Sequence, residues 1–143
     1  GRTIYYQHEI GTDQVQGGAT TAIVASIESG DYDITQARSS STGQSTGVAT
    51  FKGDGEYLMK IRRFVPDFLS QTGNTQVTFL LRDYPNDTQT SSALGPFTIS
   101  SSTKKVDTRA RARAVALKIA NTTTNQSWKL GTFRLDIQPD GRR

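Results

Sequence analysis

The stretch Asp107-Thr-Arg-Ala-Arg-Ala-Arg-Ala-Val-Ala-Leu-Lys-Ile-Ala120 decides the fold. It opens on a residue that caps helices well and continues in strong helix formers, so propensity alone reads it as a helix. Periodicity reads it differently. Val115, Leu117 and Ile119 recur at every second position, the spacing of a strand with one buried face. Arg109, Arg111 and Arg113 share that parity, whereas a helix would scatter them around its axis. The strand reading takes precedence, and it predicts a conflict. The three arginines fall on the core side unless the strand runs past the core or bulges.

Working outward, a polar turn over residues 121–126 leads into Trp128 and a second alternating run with Phe133, Leu135 and Ile137. Residues 103–143 hold ten Lys/Arg against Asp107, Asp136 and Asp140, a sum of +7. The whole chain carries +4, so the remainder sums to −3. The sequence is a basic C-terminal hairpin on a mildly acidic body.

Upstream, residues 3–8 are β-branched and aromatic and predict a first strand. A glycine-containing loop follows, and residues 20–34 then read as one long strand with Gly30 at a bulge or bend. Residues 35–47, rich in Ser, Thr, Gln and Gly, read as a mobile loop. Val48 begins a short strand, and Gly53-Asp54-Gly55 reads as a turn. Residues 56–64 place Tyr57, Met59 and Ile61 on one face and Leu58, Lys60 and Arg62 on the other, with Pro66 ending the strand. Residues 75–84 alternate through Val77, Phe79 and Leu81. Residues 93–100 form a strand with an irregular start at Gly95-Pro96.

The prediction is an all-β domain, an antiparallel β-sandwich or barrel-like body (jelly-roll-like) of about seven or eight strands over residues 1–143. Residues 1–18 are read as a link to an upstream body, with the chain a piece of a longer protein. The length suits one core, and 34% hydrophobic content suits a thin β domain better than a thick globule. No cysteine is present, which excludes disulfides and thiolate metal sites and leans toward an intracellular origin. No apolar run is long enough for a membrane-spanning helix.

Catalytic readings are thin. The one histidine, His8, has no second His or Cys to complete a nucleophile pair. Glu28, Asp31 and Asp33 cluster, but without the ordered spacing of a calcium loop, and read as a solvated edge or as partners for arginines. No catalytic, metal or cofactor residues are assigned. Arg109, Arg111 and Arg113 at period two project a row of guanidiniums roughly 7 Å apart. Such a row serves either phosphate contacts or bidentate pairing with carboxylates of a neighbouring subunit, and the acidic body favours the second.

Four blocks in order carry a further reading. They are Glu28-Ser-Gly-Asp-Tyr-Asp-Ile34, Ile61-Arg-Arg-Phe-Val-Pro-Asp67, Lys105-Val-Asp-Thr-Arg-Ala-Arg-Ala-Arg113 and Trp128-Lys-Leu-Gly-Thr-Phe-Arg-Leu-Asp-Ile-Gln-Pro-Asp-Gly-Arg-Arg143. Together they resemble the C-terminal region of the tail hub, nozzle or "packaged DNA stabilisation" proteins of short-tailed phages. The closing block is the most specific. The chain departs from the family in its Gly53-Asp-Gly-Glu-Tyr-Leu-Met59 segment, displaced by a Ser/Thr-rich insertion, and in Ala112, where relatives often carry Gly.

The resemblance implies a non-enzymatic virion component, part of a ring (six-fold in expectation) below the portal around the DNA exit channel. That ring would help retain packaged double-stranded DNA before ejection. Its partners would be sister copies, the portal adaptor and a tail fibre or needle, with assembly in the host cytoplasm. Arg109, Arg111, Arg113, Arg62, Arg63, Arg142 and Arg143 would face a subunit or DNA. Glu28, Asp31 and Asp33 would be interface carboxylates. Replacing Arg109, Arg111 and Arg113 by Ala is then expected to abolish assembly and leave the monomer folded. Two rivals stand beside it. One is a carbohydrate-binding or adhesin-type β-sandwich using Trp128, Tyr57 or Tyr32 as stacking platforms. The other is a small nucleic-acid-binding module resting on the basic hairpin.

Overall fold

A computed structural model describes residues 11–38, 45–50, 57–84, 87 and 93–142. Among the described residues there is no helix, and antiparallel sheets pack together as in a β-sandwich. The Asp107–Ala120 run is extended throughout, as its periodicity requires, but it is two strands rather than one.

In chain order the N-terminal strands are β1 (Asp13–Gln16) and β2 (Ala19–Ala22), then β3 (Ser26–Glu28), β4 (Tyr32–Asp33), β5 (Thr35–Arg38) and β6 (Ser45–Thr50). The centre supplies β7 (Tyr57–Val65), β8 (Phe68–Thr72), β9 (Thr75–Arg82) and β10 (Ala93–Ile99). The basic region forms β11 (Val106–Ala112), β12 (Ala114–Ala120), β13 (Ser127–Leu130) and β14 (Arg134–Arg142). Two sheets make the body, one ordered β10-β9-β12-β3 with β4 also on β12, the other β11-β7-β14. Ribbons β1-β2, β5-β6 and β13-β8 accompany them.

The sheets meet through side chains from both. Phe64 of β7 meets Phe79 of β9 edge-on at 5.9 Å between ring centroids, and Phe79 meets Phe97 of β10 at 5.9 Å. Phe133 extends the aromatic line from Phe64 to Tyr32. Met59, Ile61, Val77, Ile99, Val115, Leu117 and Ile119 fill the space around them, all buried. Fully burying each such aliphatic side chain stabilises by about 1.5–3 kcal/mol, so the seam between the sheets is where the fold is held.

The arginine conflict resolves at Arg113, a bend between β11 and β12 where the chain leaves one sheet for the other. Thr108, Ala110 and Ala112 point inward from β11 while Arg109 and Arg111 point out. In β12 the parity inverts, and Val115, Leu117 and Ile119 point inward. Strands that switch sheets do so at bends and bulges of this kind.

A second irregularity lies in β7. Asp136 and Ile137 of β14 are consecutive, yet they oppose Arg63 and Ile61, so Arg62 is an inserted residue. The bulge lets Met59, Ile61 and Phe64 all reach the core despite their broken alternation, and turns both Arg62 and Arg63 outward. Leu58, expected opposite Met59 with Lys60, is buried as well.

Several expectations change. Within the 35–47 region, β5 and the start of β6 pair antiparallel with each other where a mobile loop was expected, and residues 39–44 lie outside the described residues. Residues 20–34 are three short strands rather than one. The expected irregularity at Gly30 is there: Glu28 and Tyr32 oppose Lys118 and Val115, one residue more than on β12. The glycine-containing loop is a hairpin turning at Gly17-Gly18, both with positive φ (59° and 84°). Two-residue hairpin turns demand that backbone. The strand count exceeds seven or eight because these ribbons add to the body. Pro66 ends β7 as expected, and Gly95-Pro96 is a cis bond at a register shift between β10 and β9. Gly95 has φ 119°, and a Cβ there would come within 2.9 Å of the Val77 carbonyl oxygen, so no side chain fits. The predicted strand at 3–8, His8 and the 53–55 turn lie outside the described residues.

Asn121 anchors the N-terminal segment to the body. It is 3% exposed; its Oδ1 accepts from the Ala25 N–H at 2.9 Å and its Nδ2 donates to the Ile23 carbonyl at 2.9 Å. The Asp13 carboxylate accepts from the Asn125 N–H at 2.8 Å.

Candidate functional site: a basic sheet face

The sheet β11-β7-β14 has its inner face in the core and its outer face in solvent. Period-two alternation therefore sends one set of side chains outward, and here that set is mostly cationic. Arg109 and Arg111 come from β11, Lys60, Arg62 and Arg63 from β7, and Arg134 from β14, all exposed.

Register arranges them in rows across the strands. At one level Arg63 stands between Asp107 of β11 and Asp136 of β14. One level along, Arg62 stands opposite Thr108 and Arg109, because β11 carries one extra residue between Asp107 and Ala110. At the next, Lys60 stands between Arg111 and Gln138. The first row alternates in sign, one arginine between two carboxylates. The last sets a lysine directly opposite an arginine, an arrangement that disfavours the sheet unless an anion covers it.

The two irregularities coincide at Arg62, which is the extra residue toward β14 and faces an extra residue on β11. The Thr108 hydroxyl stitches this point by donating to the Ile61 carbonyl at 2.9 Å in a buried bond. Above it Lys60, Arg62, Arg63, Asp107, Thr108 and Arg109 line a groove of about 400 Å³.

Ion pairing divides the cations. Arg63 Nε donates to Asp107 at 2.9 Å, and Lys105 Nζ reaches the other oxygen of the same carboxylate at 2.9 Å. The Lys105 ammonium first, and then the Arg63 guanidinium, hold the exposed Asp107 carboxyl below the usual aspartate range. Arg111 pairs with the Asp140 carboxylate and also donates to the Asp140 carbonyl. Lys60, Arg62 and Arg109 have no carboxylate within ion-pair distance among the described residues.

The sequence grouped Arg109, Arg111 and Arg113 as one row. The structure keeps Arg109 and Arg111 together and places Arg113 at the bend, where it lines a separate recess with Arg111, Leu58, Asp83 and Tyr84. Arg62 and Arg63 join Arg109 on the basic face. The backbone of Arg142 ends β14 opposite Tyr57, and Arg143 lies outside the described residues. Lys60 was missed as a site residue, although its place on the polar face of its strand was legible from alternation.

The acidic group sits elsewhere, on the strands flanking β12. Glu28 stands across from Lys118 and Asp33 across from Ala114, while Asp31 pairs with Arg82 at 2.9 Å. Trp128, Tyr57 and Tyr32, the candidate stacking platforms, all pack against the core. Tyr32 also lines an apolar opening of about 490 Å³ with Phe133 and Leu135, its ring met edge-on by Phe133. No group of metal-ligating side chains is gathered among the described residues, and no helix there is long and apolar enough to cross a membrane.

No family model matches the chain, and neither a curated protein nor a solved structure matches it.

Proposed function

We propose that this chain is a non-enzymatic structural module of a short-tailed phage tail, part of the nozzle or hub ring around the DNA exit channel. One observation carries the reading. Of the four blocks that resemble the tail proteins, three meet in one sheet. Ile61–Asp67 supplies half of β7, Lys105–Arg113 supplies β11, and the closing block supplies β14. Segments separated by up to 80 positions in sequence thus form a single surface, so the resemblance concerns a physical unit rather than scattered matches.

Charge distribution supports the same reading. A basic face on one sheet, set apart from the carboxylate group on the edge of the other, suits the lining of a channel that carries DNA, and head-to-tail contact between copies closes into a ring where the rotation permits. A carbohydrate-binding module is the weaker reading, because Trp128 and Tyr57 serve the core.

The test is sedimentation of the full-length natural protein, combined with antibody labelling of intact particles. Closed oligomers, hexameric in expectation, and label at the tail are the expected results. A monomer at all concentrations with no label on particles overturns the proposal.

A further inference from the structure

We infer that the groove around Arg62 is a binding site for the phosphate backbone of double-stranded nucleic acid, with Lys60, Arg62 and Arg109 making the contacts. The inference deepens the reading above and rests on it for the source of the polyanion. The groove's chemistry stands on its own geometry.

Three observations converge. Lys60, Arg62 and Arg109 are exposed, line one groove and have no carboxylate partner among the described residues, while Arg63 and Arg111 beside them are already paired. A double irregularity in the ladder concentrates them. Without the inserted Arg62, strict alternation would send one of the Arg62-Arg63 doublet inward, toward Phe64 and the core. Finally, Lys60 lies directly across from Arg111, whose charge Asp140 already offsets, so Lys60 is the uncompensated cation of that row among the described residues.

The choice between nucleic acid and a sister copy follows from what the sister copy offers. Its acidic group is engaged within its own chain: Asp31 holds Arg82, and Glu28 stands across from Lys118. Transferring those carboxylates to a neighbour would break one set of pairs to make another. A phosphate backbone brings charge with no such exchange and gains further from released counterions. Among the described residues the groove lining includes no aromatic side chain, so single-strand base stacking has no platform there. Guanidinium and ammonium groups reading only phosphates imply binding without sequence preference.

The experiment is a fluorescence-anisotropy titration of the full-length protein with a mixed-sequence DNA duplex across a salt series, with sedimentation run in parallel. Three phosphate contacts predict a slope of log affinity on log salt of about −2.7, or about 40-fold weaker binding when salt rises fourfold. The triple variant Lys60→Gln, Arg62→Gln, Arg109→Gln is expected to lose that binding. Each single change is expected to reduce the slope by about one. A charge-matched control, Lys104→Gln, Lys118→Gln, Lys129→Gln, removes exposed cations from other strands and loops and is expected to bind like the parent. Equal losses in the control and the groove variant overturn the inference, as does unchanged binding by the groove variant. So does a groove variant that stops self-associating but still binds DNA, since the face then belongs to a sister copy. DNA binding that depends on the groove residues, in a protein that never forms rings, sinks the ring reading and leaves this site standing.

Discussion

β11 and β12 are two halves of one alternating run, and they treat the same parity in opposite ways. In β11 the odd positions are Arg109 and Arg111 and face water. In β12 the odd positions are Val115, Leu117 and Ile119 and are buried. Nothing local separates the halves except one bend, with Arg113 and Ala114 both half-buried. The difference shows that alternation reports which residues share a face within one strand. It does not report which face is inside once a chain crosses between sheets. A single residue of slip inverts every side chain that follows.

Deleting Arg113 is the strongest way to break this comparison. With one residue gone the bend is one position short, and if both strands keep their places either Arg109 and Arg111 turn inward or Val115, Leu117 and Ile119 turn out. Loss of cooperative urea unfolding is the expected outcome. A deletion variant that unfolds as cooperatively as the parent would show that the sheet crossing does not set the parity.

A paired substitution sharpens the contrast at lower cost to the fold. Leu117→Ala removes a 3% exposed side chain from the seam between the sheets and is expected to destabilise by about 2–5 kcal/mol. Arg109→Ala, eight positions earlier and of the same parity, is expected to change stability by no more than about 0.5 kcal/mol. Chemical denaturation of both variants measures the difference, and equal losses would contradict the assignment of faces.

The smallest effect concerns the row of alternating charges at the far end of β11. Lys105 and Arg63 favour the ionised form of Asp107 and so depress its folded-state pKa. Its contribution to stability is therefore present above the unfolded aspartate value and is lost as pH falls through the depressed one. Asp107→Asn is expected to be slightly less stable than the parent near neutral pH, with the gap closing in strong acid. Thermal midpoints at the two conditions check it. A gap that widens in acid would show that the ion pairs are not its cause. Exposure keeps the effect small in either case.

Much of the body was legible in the sequence because its signals are local. Val77 and Phe79, or Val115, Leu117 and Ile119, need only their own spacing to declare a strand, and Pro66 needs only its missing donor to end one. The hairpin at Gly17-Gly18 reads in the sequence only as a glycine-containing loop, because the mostly polar residues flanking it give no apolar alternation. Half of the basic face was visible as an arginine row. Lys60 and Arg62 were legible as the polar face of their own strand, but that they join this row was not, because it follows from pairing of β7 with β11, segments about 50 positions apart. Asn121 carried no signal at all, since its value lies in two backbone groups of residues 23–25 nearly a hundred positions away.

By itself the sequence determined that this chain is built of strands, where most of the core strands of the body run, and that its cations crowd the C-terminal third. Those properties follow from side-chain chemistry read over a few neighbouring residues. Only the tertiary structure decided which arginines face together, where the ladder bulges and which cations keep no acidic partner. Each of those outcomes depends on register between distant strands, which the packing of Phe64 against Phe79 and its neighbours enforces and which no single segment encodes.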